Sequence, residues 1–231
     1  MALPFSREAF LDVFAAYNTL WWPVALTLWT ATLIAFVARV TDRTASRWTF
    51  GLLAVQWAWS AVAYHATLFS RINPAAWLFA AMFLIQAALL IWFGVAPHRL
   101  RFSGGGPISR PVAYGVIAYG LVYPVLALVE GHSYPRTPTF GVPCPTAIVT
   151  MGFLMLLRGR IPPWLVIVPM SWAAIGGSAA FLLNVRADLA LLIAGSALAV
   201  RTWSMRSPRS HDRRVERLHL RLPASLRESA K

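Results

Sequence analysis

The chain has 231 residues, 58% of them hydrophobic and only 13% charged, with a formal net charge of +13. A soluble domain of this length carries about a quarter charged residues, so the composition excludes an ordinary soluble protein and points to a polytopic membrane protein. The one cysteine excludes an internal disulfide.

"MALPFSREAFLDVFAAYNT" opens the chain. Arg7, Glu8 and Asp12 interrupt it where a cleavable signal peptide needs an unbroken apolar region. Ser6 can cap a short helix, and Phe10, Val13, Phe14 and Tyr17 fall on one face at spacings of three and four. Residues 1–19 are therefore expected to lie in the membrane interface as an amphipathic helix.

Seven apolar segments follow, at 20–40, 48–69, 75–95, 111–129, 145–157, 164–183 and 189–203. Trp21, Trp22, Trp48, Trp77, Trp92, Trp164 and Trp203 stand at their ends, where an aromatic belt belongs. The longest flexible linker, "HRLRFSGGGPISR", is too short to separate domains. The expected fold is all-α and integral to the membrane: one seven-transmembrane-helix bundle over 20–203, then a basic tail over 204–231.

Basic residues orient the bundle. Arg39, Arg43, Arg47, Arg99, Arg101, Arg110, Arg158 and Arg160 flank alternate connections on one side, and nine more follow from Arg201 to Lys231. The other side has Arg7, Arg71, Arg136 and Arg186, balanced by Glu8, Asp12, Glu130 and Asp188. The positive-inside rule then predicts an outside amino terminus and a cytoplasmic tail, in a multi-pass inner-membrane protein. Beside seven spans, the partners expected for that tail are anionic lipid headgroups of the bilayer, not nucleic acid.

The fifth segment is short. Thirteen residues make about 20 Å of helix against a hydrocarbon core of about 30 Å. The preceding "TFGVPCP" is therefore expected to enter the membrane as non-helical backbone, tolerated there only inside protein or beside a water-filled cavity. With Pro145 at the first helical position, Cys144 would be the N-cap. It would then be either a reactive thiol or a small buried hydrophobe.

His65 lies one turn from the outer end of the second segment, on a wheel face shared with Gly51, Ala54, Ala58 and Ala61. Small residues mark close helix packing, so His65 is expected to face the bundle interior. It is either a functional intramembrane group or a histidine bonded to a neighbouring carbonyl. Glu130 shares a stripe with Tyr119 and Tyr123, which suggests a proton relay or an interfacial anchor. His132 and Tyr134 follow at once, and Asn73 lies at the same level. Asp188 reads as the N-cap of the seventh segment. Gly176 and Gly177 in the sixth read as a packing face, and Ser171 with Ser178 as a polar path.

The candidate substrate or proton pathway is therefore His65, Asn73, Tyr119, Tyr123, Glu130, His132, Tyr134 and Cys144, all near the outer face. Zinc is a possible cofactor, with His65, His132, Glu130 and Cys144 as candidate ligands, although their spacing matches no standard metal motif. A transporter or channel for a small solute or ion is the first expectation, from the broken fifth segment and the interior polar groups. A membrane-embedded, periplasm-facing enzyme is the alternative, and a structural or sensory subunit the third.

"FLDVFAAYN", "YHATLFSRINPAAWLFAAMFLIQAALL", "PTFGVPCPTAIVT" and "IGGSAAFLL" resemble a family of bacterial multi-pass membrane proteins known only as a domain of unknown function. The resemblance covers roughly residues 3–200. It implies a membrane bundle and an inner-membrane location and supplies no activity; its motifs include His65, Asn73, Pro74, Cys144 and Pro145.

Overall fold

Apolar sequence of this kind satisfies its backbone by forming helices. The computed structural model describes residues 4–41, 46–96, 100–102, 106, 108–129, 133–183 and 185–205, and among these every regular element is helical. Seven α-helices run in chain order: α1 Arg7–Val40, α2 Ser46–Trp59, α3 Ala76–Leu90, α4 Ser109–Val129, α5 Pro143–Met155, α6 Trp164–Leu183 and α7 Ala190–Ser204. The α2 helix continues as a π-helix over Ser60–Ala66, and α3 as another over Ile91–Val95. Glu130, His132, Asn184 and residues 206–231, most of the basic tail, lie outside the described residues.

Four helical stretches are long and apolar enough to cross a membrane: Arg7–Val40, Ala76–Val95, Ser109–Val129 and Trp164–Leu183. The other three expected spans are shorter or interrupted. The α5 and α7 helices have 13 and 15 residues, and α2 has 14 before its seven-residue π continuation.

At α5, "PCPTAIVTMGFLM", the sequence is uncharged on every side, and such a helix belongs in a core. All its residues except Cys144 are buried. The α4 helix reaches it through glycine. A Cβ at Gly152 would stand 2.5 Å from Ile117 Cγ1 and 3.1 Å from the Ala113 carbonyl oxygen, so no larger residue permits this approach. On the α2 side, the Trp57 indole donates to Thr150 Oγ1 at 2.8 Å. Arg201 of α7 donates to the Leu157 carbonyl at 3.1 Å, satisfying the end of α5. Gly176 and Gly177 lie against Leu191 and Leu192 of α7, as the small-residue pattern predicts.

Residues 7–40 form one helix with a kink. Its backbone departs from helical geometry at Trp21 (φ −128°, ψ 16°), just before Pro23, whose missing N–H weakens the turn. The part before the kink packs its aromatic face on the bundle: Phe10, Phe14 and Tyr17 meet Tyr64 and Phe69.

The start of α5 corrects the sequence reading. Pro143 takes the first helical position and Val142 the N-cap, so Cys144 sits within the first turn and not at the cap. Either proline suits that position. Gly141 decides between them, because its left-handed backbone (φ +83°) completes the turn two residues earlier.

Candidate functional site

Residues 137–142 are non-helical and mostly buried. Backbone placed like this needs partners for its polar groups, and α1 supplies them. Asn18, 1% exposed, donates to the carbonyls of Pro135 and Thr137 at 2.6 and 2.7 Å and accepts from Thr139 Oγ1 at 2.5 Å. The Tyr17 hydroxyl donates to the Phe140 carbonyl at 3.0 Å and accepts from the Trp59 indole at 2.9 Å. A Cβ on Gly141 would lie 2.5 Å from that hydroxyl. The loop is thereby locked between α1 and α2, with Cys144 at its inner end.

Beneath it is a cavity of about 210 Å³. His65, Asn73, Tyr123 and Cys144 line it. Four of the eight predicted pathway residues therefore meet in one place, although the sequence separates the first and last by 79 positions.

His65 comes from the π segment. A π turn closes with a bond five residues back, as Thr67 N to Val62 O does at 3.0 Å, and it swings side chains off the α-helical stripe. Such segments recur at functional sites because their geometry is rarely kept for packing alone. The imidazole is 0% exposed and ringed by aromatics, with ring centres 4.8 Å from Phe83 and 5.3 Å from Tyr64 and Trp172. Neither ring nitrogen has a hydrogen-bond partner. The alternative of a histidine bonded to a nearby carbonyl is thus not met.

Asp188 is a residue to which the sequence pattern gives a different role. It lies in the 3₁₀ turn Arg186–Leu189, is 5% exposed and lines the cavity. Leu189, with no side-chain cap bond, precedes α7, so Asp188 is not the N-cap of that helix. Its carboxylate accepts from the Tyr123 hydroxyl, and Cys144 lines the same cavity. Tyr119 donates to the Ala187 carbonyl at 2.9 Å. The two tyrosines thus address the turn before α7, Tyr119 through the Ala187 carbonyl and Tyr123 through the Asp188 carboxylate. The signal was available in Tyr119 and Tyr123, whose spacing of four sets both on one face, but the element opposite them was not legible.

The remaining candidates disperse. Asn73 accepts from the Ala75 backbone N–H at 3.1 Å, starting the turn into α3, while lining the cavity. Tyr134 is 58% exposed and lines a different cavity of about 320 Å³, with Asn18, Trp29 and Pro124. Ser178 lines the first cavity, its hydroxyl donating to the Ala174 carbonyl. Glu130 and His132 lie outside the described residues. Among the described residues no three His, Cys, Asp or Glu side chains are grouped to hold a metal ion.

Residues 7–212 match a family described as "Family of unknown function (DUF6064)". The chain belongs to that family. No curated protein and no solved structure matches it.

Proposed function

We propose that the chain is a multi-pass inner-membrane transporter or channel for a small solute or ion, with its binding site in the cavity below residues 137–144. The arrangement proposed is a seven-span bundle with the amino terminus outside and the basic tail on anionic headgroups in the cytoplasm. The charge asymmetry of the connections supports that orientation. A belt of exposed apolar side chains, including Leu26, Ile34, Leu78, Ile85, Val125 and Phe181, supports lipid around the outside.

One observation carries the reading. From His65 a row of buried polar residues descends α2 through Ser60, Gln56 and Thr49, and each has a side-chain atom with no protein partner. Their spacings of five, four and seven keep them near one face once the π turn is allowed for. Polar atoms in a protein core are nearly always satisfied by protein or water. A line of them running inward from the cavity suits passage of water, protons or a hydrated solute better than a closed reaction chamber.

Flux measurement on purified protein in liposomes tests the reading, with His65→Phe as the comparison. Solute or proton movement that the variant abolishes is the expected result. Unchanged flux across a broad ion and metabolite panel overturns it. Stoichiometric zinc, lost in His65→Ala and His132→Ala, would favour the embedded metalloenzyme instead.

A further inference from the structure

We infer that the cavity is built for a small organic cation, an ammonium group carrying a few carbons. The inference rests on the transport reading only for the fate of the ligand once bound; the recognition itself stands on the lining.

Three properties of the lining select the ligand. The first is charge. Asp188 is the one carboxylate among the described lining residues, and no lysine or arginine is among them. The Tyr123 hydroxyl directs its hydrogen at Asp188, which suits an acceptor carboxylate. Arg7 keeps to the rim, donating Nε–H to the Leu183 carbonyl at 3.0 Å. An anion would meet the repulsion of this carboxylate, with no lysine or arginine among the described lining residues to offset it.

The second is the wall. Phe10, Phe14, Tyr64, Phe69, Phe79 and Trp172 surround the space. Aromatic faces carry negative potential, and a lining of several aromatic residues has the composition of the cages that hold ammonium ligands. A calcium or magnesium ion does not fit, because it needs about six oxygen ligands to replace its water. Apart from the Asp188 carboxylate, the side-chain oxygens here are few and partly engaged: Asn73 Oδ1 accepts from Ala75, and Ser178 donates to Ala174. An organic cation brings its own apolar surface and loses little hydration on entering.

The third is His65. It is fully buried, lines the cavity and has no partner at either nitrogen. In the neutral ring one nitrogen is an acceptor and the other a donor. A hydroxyl on the ligand, as choline carries, can fill either, and the N–H of a primary ammonium can fill the first. The volume of about 210 Å³ equals roughly seven waters at about 30 Å³ each, which suits a molecule of the size of choline. A neutral apolar guest would offer nothing to the Asp188 carboxylate and would leave both imidazole nitrogens unmet.

The test is calorimetric titration of the purified full-length protein in nanodiscs with choline and with 3,3-dimethylbutan-1-ol, the same shape without the charge. Choline should bind at least about tenfold more tightly, the scale of a desolvated cation–π contact. Asp188→Asn and Trp172→Leu should each reduce choline affinity several-fold. Choline should also slow modification of Cys144, the chain's single thiol. Equal affinity for the two probes overturns the inference, as does the absence of binding by choline, tetramethylammonium and ethylammonium alike. That comparison uses unaltered protein, so a misfolded variant cannot obscure it. Ammonium binding without flux in liposomes would defeat the transport reading and leave the recognition intact. Flux of another solute without ammonium binding would do the reverse.

Discussion

The two ends of this bundle are built differently. Around the inner part of α5, regular helices meet through glycine: Gly120 against Val149, Gly152 against Ile117. At the other end regularity stops. There the π segment Ser60–Ala66, the buried loop 137–142 and the 3₁₀ turn Arg186–Leu189 converge on one cavity. Close packing leaves no room for a ligand, whereas irregular backbone creates space and aims polar groups into it. The comparison assigns stability to one end and recognition to the other, and substitutions can separate them.

The largest loss is expected at the packed end. Phe153 is fully buried and meets Phe102 edge-on at 5.7 Å. Phe153→Ala should cost about 3–5 kcal/mol through lost contacts and a residual cavity, read as a fall in thermal unfolding temperature in detergent. Choline affinity in the surviving folded fraction should change little. A large affinity loss there would break the division between the ends.

Gly141→Ala comes next. The left-handed backbone alone costs a non-glycine residue about 1–3 kcal/mol, and the new Cβ would press on the Tyr17 hydroxyl. The expected signature is local: faster modification of Cys144 by a membrane-impermeant thiol reagent, with a smaller effect on unfolding temperature. Asn18→Ala should behave similarly at about 1–3 kcal/mol, because it leaves buried loop carbonyls without donors. If Cys144 reactivity is unchanged in both variants, the loop is not held by these contacts.

His65→Phe should have a small effect on stability and a large one on binding. The imidazole makes no hydrogen bond and sits among aromatic rings. A similarly shaped apolar ring should therefore cost less than about 1.5 kcal/mol. A much larger loss of stability would mean that His65 is structural. The exposed Asp12–Arg136 pair, at 2.7 Å, is a baseline, and Asp12→Asn should change stability by no more than about 1 kcal/mol.

Much of the helix layout was legible because its cause is local. Residues 164–183 read as a span from apolar length alone, and α6 has those bounds. Residues 20–40 were also legible, but their continuity with 7–19 was not, since a proline near a helix start reads equally as a boundary or a kink. Nothing in "SAVAYHA" announces a π-helix, because its stability comes from what packs around it. His65 nonetheless keeps to the buried side that its spacing predicts, with Ala54 and Ala61.

Composition and periodicity were enough to establish that the chain is apolar and helical and that its fifth apolar segment is short. Those are properties of neighbours along the chain, so they are present before any helix meets another. Only the packed bundle could establish that Tyr123 bonds to Asp188 beside Cys144 in one cavity and that His65 has no hydrogen-bond partner. The bond from Tyr123 to Asp188 joins residues 65 positions apart, in two different elements. Hydrogen bonds and burial depend on which helices meet, and no local pattern encodes that meeting.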